Sequence, residues 1–288
     1  TTESNDTTGS VTYSIAFSDS AGNAGTAVTS GGGSVTFDKT APAFSSLSPS
    51  TSSTVNTTAV GYTLSEAIAS GTVTYTRTGG TADGTVHTVN LAGTELNSGT
   101  RASAVLTNAP TLVSGSIYTI AFNGTDAGGN NATEVSVTGI TYDTTAPAIT
   151  GTTVASNNAS IAVTFSEAVY NTSGGSGALE ASDFTLTLSG GTATLSSATP
   201  SSISSSSNTY TLGLSLSGTP NGSETITVVP SSSTAIYDAV GNAASTSQSN
   251  NTVTLNDKTA PTLSSVGIAS NNSTTTLAKA SNVVTLTF

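Results

Sequence analysis

The five-residue pattern Asp-x-Thr-Ala-Pro occurs three times in this chain, beginning at Asp38, Asp143 and Asp257. The spacings are 143 − 38 = 105 and 257 − 143 = 114 residues, which is about the length of one small β-sandwich. Each copy follows one alternating apolar stretch and precedes another. Because repetition at a nearly fixed period defines the unit of folding, the sequence predicts a tandem array whose joints carry this motif.

Two further signals recur at nearly constant distances from the joints. An apolar alternation ends in Ser-Glu-Ala at Glu66 and again at Glu167, and the matching alternation after Asp257 runs to the last residue. The pattern Asp-x-x-Gly-Asn occurs before each joint, beginning at Asp19, Asp126 and Asp238. We therefore expect a C-terminal part of one repeat, two complete repeats and an N-terminal part of another. The predicted boundaries are 1–38, 39–143, 144–257 and 258–288.

The pattern of apolar residues favours strands throughout. Aromatic residues make up 5% of the chain and charged residues 7%, and no stretch has helical apolar spacing over three turns. Alternating apolar residues are frequent instead, and alternation places one face of a strand in a core. The sequence thus predicts an all-β chain of antiparallel β-sandwiches. The clearest alternating runs are Val11, Tyr13, Ile15, Phe17; Tyr118, Ile120, Phe122; Phe184, Leu186, Leu188; Leu212, Leu214, Leu216; and Val284, Leu286, Phe288.

Composition narrows the classes of partner and compartment. The chain has no Cys, so neither disulfide bonds nor a cysteine-bound zinc ion can brace its small cores. The formal net charge is −11 with five Lys and Arg residues, which argues against nucleic acid because phosphate contacts need clustered cations. No apolar run reaches the 18 or more residues typical of a membrane span. These features fit an exported protein without a membrane span in this part of the chain.

Strand order in an immunoglobulin-type sandwich predicts where the recurring acids meet. The second strand returns to the end where the joint lies, and the last two strands form a hairpin whose turn lies there too. Two acidic clusters are expected: Asp38 with Glu66 and Asp126, and Asp143 with Glu167 and Asp238. Asp257 would need ligands beyond residue 288, and Asp19 would need partners before residue 1.

Three neighbouring carboxylates repel one another by roughly 3 kcal/mol per pair at about 5 Å and an effective dielectric constant near 20. A hard dication relieves this repulsion, and Ca²⁺ accepts six to eight oxygens from carboxylates, amides and carbonyls. Asn130 and Asn242 are candidate neutral ligands. An alternative interpretation stays open, because Asp-x-x-Gly-Asn is also good turn chemistry and the joint Asp can cap a turn before Pro.

The residues give little support to enzyme chemistry. His87 is the one histidine, and alternation in T-V-H-T-V predicts that it faces outward. Glu180 and Asp183 resemble a glycosidase pair, but A-L-E-A-S-D-F more simply predicts a turn leading into a strand. No nucleophile elbow or phosphate loop is present. We therefore predict that the chain is not an enzyme.

The joints, the Ser-Glu-Ala motif and the Gly-Asn turn together resemble bacterial Ig-like repeats of giant secreted surface adhesins. The stretch V-T-F-S-E-A-V-Y-N-T-S-G-G-S-G-A-L-E-A-S-D-F-T-L, from Val163 to Leu186, carries the most specific resemblance, to repeats of gliding-motility and calcium-stiffened adhesins. The resemblance implies export to the bacterial cell surface, tandem extension and joint-bound Ca²⁺.

The function expected from these features is a structural stalk that extends an adhesive tip from the cell. Its partners would be adjacent repeats of the same chain, with a surface or glycan bound by regions outside this segment. Two alternatives remain: a glycan- or ligand-binding module of a secreted enzyme, and a filament or sheath subunit that self-associates laterally through strand edges. Thr72, Thr74, Thr76 and Thr78 share one strand face, which suits either a sugar surface or an ordinary solvated sheet.

Overall fold

A computed structural model describes residues 5–29 and 35–287 of the chain. The secondary structure in these residues is strands, with two single-turn 3₁₀ helices at Gly93–Leu96 and Ala181–Asp183. The predicted all-β class is confirmed. The chain divides into two compact units, the first containing Thr1–Ala146 with Ser173–Gly175 and Asp238–Asn242, and the second containing the remainder. No helix among the described residues is long and apolar enough to cross a membrane.

The N-terminal segment forms short two-stranded ladders. Its strands are β1 (Gly9–Val11), β2 (Ser14–Ile15), β3 (Val28–Thr29) and β4 (Val35–Phe37). Strand β1 pairs with β4 and β2 pairs with β3, both antiparallel. Val11, Tyr13, Ile15 and Phe17 are 41–57% exposed, so the expectation that this alternation faces a core is wrong for the described residues. Among residues 5–29 and 35–287, no second sheet packs on these ladders of two or three residue pairs to bury that face.

The first unit also contains a two-sheet β-sandwich. Its strands are β5 (Phe44–Ser48), β6 (Thr54–Val55), β7 (Val60–Leu64), β8 (Ser70–Gly80), β9 (His87–Asn90), β10 (Gly99–Ala104), β11 (Ser116–Thr125) and β12 (Val135–Tyr142). One sheet has the order β10-β7-β5, and the other has the order β6-β12-β11-β8-β9. Strand β6 pairs parallel with β12, and the other pairs are antiparallel. This order is that of an Ig-like sandwich.

Residues from both sheets fill the core between them. Phe44 and Tyr62 on one sheet, with ring centroids 5.4 Å apart, pack against Phe122 on the other at 6.0 and 5.8 Å. Tyr118, Ile120 and Phe122 are buried along β11, as their alternation predicts. Such aromatic contacts contribute beyond their buried area, so this cluster fixes how the two sheets of the first unit face each other.

The second unit is also a β-sandwich, but its strands are distributed differently between the two sheets. Its strands are β13 (Ile149–Val154), β14 (Ser160–Phe165), β15 (Phe184–Ser189), β16 (Thr194–Leu195), β17 (Ile203–Ser206), β18 (Thr209–Gly213), β19 (Leu216–Ser217), β20 (Thr225–Pro230) and β21 (Thr252–Thr254). The two main sheets have the orders β13-β14-β18-β17 and β15-β20-β21, and β16 pairs with β19. Phe165, Phe184 and Tyr210 form an equivalent aromatic cluster, with centroids 5.9–6.3 Å apart.

The C-terminal segment forms one antiparallel ladder between β22 (Gly267–Ser270) and β23 (Val284–Thr287). Val284 and Leu286 are 53% and 49% exposed, so the predicted core face of this alternation is also not buried here. Phe288, the last member of the predicted alternation, lies outside the described residues. The four predicted repeat boundaries stay predictions.

His87 does not face outward as the sequence predicts. It lies opposite the buried Tyr75 in the β8–β9 ladder, so its ring is on the core side. Its Nε2 lies 2.8 Å from Oδ2 of Asp83, which also accepts a hydrogen bond of 2.6 Å from the Tyr118 hydroxyl. The prediction was wrong because β9 begins at this residue, so His87 shares the core face of Val89, two residues later, while Val86 lies before the strand and is exposed.

Glu180 and Asp183 form the turn that the sequence predicts. Asp183 is the last residue of the second 3₁₀ helix, and its carboxylate accepts a hydrogen bond of 2.7 Å from the Glu180 main-chain N–H. Strand β15 begins at the next residue. The Asp183 carboxylate and the Glu180 main chain thus close this turn.

Glu224 is a buried carboxylate in the second unit that organises two loops. Its side chain is 0% exposed and accepts hydrogen bonds of 2.8–3.1 Å from the main-chain N–H groups of Thr192, Ala193, Asn221 and Gly222. A Cβ on Gly191, which has φ +60°, would overlap the carboxylate. The Ala193 N–H and the other donors lower the pKa of Glu224 to about 2, although burial acts in the opposite direction.

We predict that Glu224→Gln lowers the melting temperature of the second unit by several degrees at pH 7. The amide would place an N–H₂ group against main-chain donors and leave at least one of them without an acceptor. Because the folded pKa is depressed, the wild-type stabilisation is present above pH 4.5 and is lost as the pH falls to about 2. Calorimetric melting at pH 7 and pH 3 measures both effects. The exposed Glu134→Gln is the control, and equal melting of the two variants at pH 7 would refute this role.

Candidate metal centre

The Asp126–Asn130 turn joins β11 to β12 in the first unit, at the hairpin position that the sequence predicts. Oδ1 of Asp126 accepts the Asn130 main-chain N–H at 2.8 Å, and Oδ2 accepts the Asn130 side-chain N–H at 2.9 Å. Gly129 has φ +89°, a conformation that glycine adopts without strain. The motif residues therefore specify the turn directly.

The same turn forms at the other two copies of the motif. Asp19 accepts the main-chain and side-chain N–H groups of Asn23 at 2.9 and 2.8 Å. Asp238 accepts those of Asn242 at 2.8 and 2.7 Å. The interpretation of Asp-x-x-Gly-Asn as turn chemistry is confirmed in all three copies.

The joint Asp residues also close local turns before proline. Asp38, Asp143 and Asp257 each accept the main-chain N–H of the Thr two residues later, at 3.0, 2.9 and 2.8 Å. The capping interpretation of the joint Asp is thus confirmed as well. Each of these bonds occupies one carboxylate oxygen, which leaves the other oxygen of the joint Asp available to a cation.

Asn130 connects the hairpin turn to the joint. Its side-chain N–H₂ donates to the main-chain oxygen of Asp38 at 3.2 Å, in addition to the bond to Asp126. Asn242 makes the equivalent bond to the main-chain oxygen of Asp143 at 3.0 Å. Both amides present nitrogen to these acidic residues, so they hold the acids in place here. Their predicted role as oxygen ligands remains a prediction.

Asp38, Glu66 and Asp126 come together in the first unit as the strand order predicts. One carboxylate oxygen from each lies within 4.8 Å of the others. Asp38 lies before β5, Glu66 follows β7, and Asp126 follows β11. Antiparallel pairing of β5 with β7 brings the first two together. Asp126 is buried, whereas Asp38 and Glu66 are half-buried.

The pKa values of Glu66 and Asp126 in this cluster shift in opposite directions. Partial desolvation, followed by the charges of Asp38 and Asp126, raises the pKa of Glu66 above its usual value. The Asn130 side-chain amide lowers the pKa of Asp126, and the surrounding main-chain N–H groups add to this effect. The anionic form of Asp126 is therefore stabilised by its own turn. The anionic form of Glu66 is destabilised by partial desolvation and by the two neighbouring carboxylates.

The remaining predicted ligands are placed as follows. Asp143 and Asp238 belong to the first unit, and Glu167 follows β14 in the second unit, as Glu66 follows β7 in the first. Asp257 is exposed and, within residues 35–287, belongs to no group of three acidic side chains. The ligand assignments remain predictions.

The Asp38–Glu66–Asp126 cluster offers donors of the kind that Ca²⁺ binds. Its donors are hard carboxylate oxygens, and Ca²⁺ takes six to eight oxygens at about 2.3–2.6 Å. Main-chain carbonyls and water would complete such a shell, since hydrogen bonds already occupy part of the Asp126 carboxylate. The cluster contains neither histidine nor cysteine, which disfavours zinc and other softer metals.

Sequence analysis did not single out Asp83, Glu95 and Glu224, whose carboxylates accept main-chain N–H groups. Glu95 accepts those of Ala92 and Thr107, each at 2.7 Å. None of the three lies in the recurring motifs, so repetition could not reveal them. For Glu224, the sequence offers a local signal: the dipeptides Asn221-Gly222 and Gly190-Gly191 predict turns. They do not predict which acidic side chain binds those turns.

Known proteins show little similarity to this chain. No protein-family model matches the chain, and no curated protein matches it. Among solved structures, the chain is similar to the FN1–FN3 domains of chicken CNTN1, with 12% identity and a TM-score of 0.28. That similarity covers 80% of this chain and 73% of the other. Because a TM-score this low carries no argument, the fold assignment rests on the sheets described above.

We predict that Glu66→Gln has opposite effects in chelator and in calcium. Without a cation, the variant melts at the same or a higher temperature than wild type, because it removes two like-charge repulsions. With millimolar Ca²⁺, wild type gains stability by binding and the variant gains much less. Thermal melting of both proteins in each buffer measures the difference. Glu134→Gln controls for the loss of one exposed carboxylate, and an identical calcium response in all three proteins would refute the site.

Proposed function

We propose that this chain is a stalk segment of a large bacterial cell-surface adhesin, exported and extracellular, with joints stiffened by Ca²⁺. The observation that carries this proposal is the membership of the joint residue Asp38 in the Asp38–Glu66–Asp126 cluster. A cation bound there would hold the joint to the end of the sandwich. The role proposed is structural rather than catalytic.

The mechanism is a restriction of backbone freedom at the joint. Without a cation, Asp38 is tied to the hairpin turn by the Asn130 side chain, a single bond of 3.2 Å. Pro42 fixes one further backbone angle nearby. A cation shared by Asp38, Glu66 and Asp126 would add ionic links from the joint to β7 and to the β11–β12 turn. Extracellular calcium modules typically bind with dissociation constants of about 10⁻⁴–10⁻³ M, so such links would persist in calcium-rich surroundings.

The structure of the Asp38 joint recurs, which supports the same stiffening mechanism along the whole array. The Asp143 joint reproduces both the Thr145 N–H bond and the side-chain bond from Asn242. The adjacent repeats of the same chain are thus the proposed direct partners. Attachment to a surface or a glycan is assigned to regions of the adhesin outside this segment.

Calcium titration and X-ray scattering on residues 1–288 test the stalk mechanism. We expect saturable binding by calorimetry, with a larger maximum dimension and a narrower distribution of shapes in calcium than in chelator. Glu66→Gln combined with Glu167→Gln should abolish both responses, whereas Glu134→Gln should retain them. Binding without any change in scattering would reject stiffening, and the absence of binding would reject the calcium centre.

A second candidate function, a glycan-binding module, has one supporting observation. An open groove of about 610 Å³ lies at one end of the β9-β8-β11 face, and its lining residues carry no charge. Asn90, Thr72 and Asn123 stand side by side across three strands in this groove. Amides and hydroxyls are suitable partners for neutral sugars, although no aromatic residue lines the groove.

Amide-resolved NMR titration with cellohexaose and maltohexaose distinguishes this candidate. Shifts confined to the groove, and lost in Asn90→Ala with Asn123→Ala, would favour a glycan-binding role. Ser204→Ala, on an exposed strand of the second unit, is the control. No shift at about 10 mM sugar, well above the dissociation constants of weak ligands, would remove the candidate.

A further inference from the structure

In the first unit, the connection between the first two strands of the main sandwich is bonded to the chain just before the next joint. This connection, residues 49–59 between β5 and β7, contains β6, which pairs parallel with Thr141–Tyr142. The main-chain N–H of the joint residue Asp143 donates to the Val55 carbonyl oxygen at 2.8 Å. A short strand ladder therefore fastens the outgoing chain to the beginning of its own sandwich.

The second unit makes the corresponding contact without a ladder. Its connection between β13 and β14 covers only residues 155–159 and contains no strand. Among the residues that the structure describes, β21 pairs with β20 and with no other strand. The short connection instead reaches the outgoing chain with one side chain, that of Asn158.

The Asn158 amide supplies the donor and the acceptor that a neighbouring strand would supply. Its Nδ2 donates to the Asn256 main-chain oxygen at 2.7 Å, and its Oδ1 accepts the Asn256 main-chain N–H at 2.9 Å. Asn256 directly precedes the joint residue Asp257, the position that Tyr142 occupies in the first unit. One side chain thus bonds to both main-chain groups of the residue before the joint, as a paired residue does in a ladder.

Asn256 adds bonds from its own side chain to the same connection. Its Nδ2 donates to Oδ1 of Asn158 at 2.9 Å and to the Ala155 main-chain oxygen at 3.1 Å. Asn158 is 3% exposed, and hydrogen bonds shielded from water in this way are electrostatically stronger. Its backbone has φ +59°, a conformation in which asparagine is enriched. The amide and the backbone angle both favour asparagine at this position.

The sequence around Asn158 recurs at the same distance from the next joint. Asn158 ends the sequence Ala-Ser-Asn-Asn and lies 158 − 143 = 15 residues after Asp143. Asn272 ends the same sequence, 272 − 257 = 15 residues after Asp257. The first unit has Ser53 at this distance from its joint and uses β6 instead. Recurrence at a fixed offset indicates that the asparagine belongs to the repeat pattern.

We propose that the Asn158 side chain bears the tension in the second unit when the chain is pulled from its ends. The inference rests on the proposed stalk function, in which tension enters a sandwich through one joint and leaves through the next. The shortest bonded path between the two joints runs along β13, through residues 155–158 and across the amide to Asn256. While these bonds hold, tension reaches the outgoing joint without being carried by the β20–β21 ladder.

The two units should therefore differ in their sensitivity to substitution. The first unit makes its connection with main-chain bonds, which include Thr141 N–H to the Ser53 oxygen at 3.0 Å. Such bonds do not depend on the identity of a side chain. The second unit depends on one amide, so replacement of that amide should weaken the second unit under tension and leave the first unchanged.

Magnetic-tweezers pulling on the two ends of the full chain, in chelator, tests the proposal. We expect Asn158→Gly to raise the unfolding rate of the second unit at constant force about ten-fold, because a buried N–H of Asn256 loses its acceptor. Asn250→Gly is the matched control, since Asn250 is exposed and also has positive φ, +56°. It should unfold at the wild-type rate, and the first unit should unfold at one rate in all these proteins.

An insertion identifies which unfolding event belongs to the second unit. About 20 Gly and Ser residues placed between Ser232 and Ser233, in an exposed loop, lengthen its extension by about 7 nm. Asn256→Ala is a second variant that keeps both main-chain bonds of Asn158 and removes the side-chain bonds of Asn256. Its unfolding rate under force should lie between those of wild type and Asn158→Gly.

Equal unfolding rates under force for Asn158→Gly and Asn250→Gly would overturn the proposal. A loss of stability in denaturant without a faster rate under force would also overturn it, because the contact would then be structural but would not bear tension. If Asn158→Gly does not fold, a wild-type rate for Asn256→Ala overturns the proposal. Because the pulling is done in chelator, a failed calcium titration would reject the calcium centre without affecting this result.

Discussion

The candidate centre depends on the side-chain amide of Asn130. This one N–H₂ group donates to the Asp126 carboxylate and to the main-chain oxygen of Asp38, which are far apart in the sequence. It holds two acidic residues together without neutralising either. Main-chain N–H groups further stabilise the anionic form of Asp126. Glu66 lacks such donors in the pKa balance, so the neighbouring charges raise its pKa. The same turn that organises the hairpin therefore creates the site at which a cation would be most useful.

Carboxylates bound to main-chain N–H groups serve a purpose that disulfides serve in other small domains. Glu224 joins two loops of the second unit, and Glu95 joins the 3₁₀ helix of the first unit to Thr107. With no cysteine and few aromatic residues, each sandwich relies on one aromatic cluster between its sheets and on such acceptors at its loops. Many acids of this chain are thus structural, which is why acidic composition alone is a poor guide to metal binding.

The two sandwiches differ where their sequences differ in length. The second unit uses Ile203–Ser206 to cover the edge of its first sheet, whereas the first unit has a single 3₁₀ turn between β9 and β10. The aromatic clusters and the Asp-Asn turns are shared. A repeat can therefore keep its core and its joint while the number of strands in its first sheet changes.

Repetition and alternation in the sequence were enough to determine the all-β class, the hairpin turns and the meeting of Asp38, Glu66 and Asp126, because these follow from period-two strands and a fixed strand order. They failed for His87, whose side is set by the start of β9, and for Val11 to Phe17, whose alternation has no opposing sheet in the described residues. Only the tertiary structure decided which way the Asn130 amide points, which loops Glu224 joins and which edge stays unpaired. Those features depend on contacts between residues distant in sequence, for which local pattern carries no information.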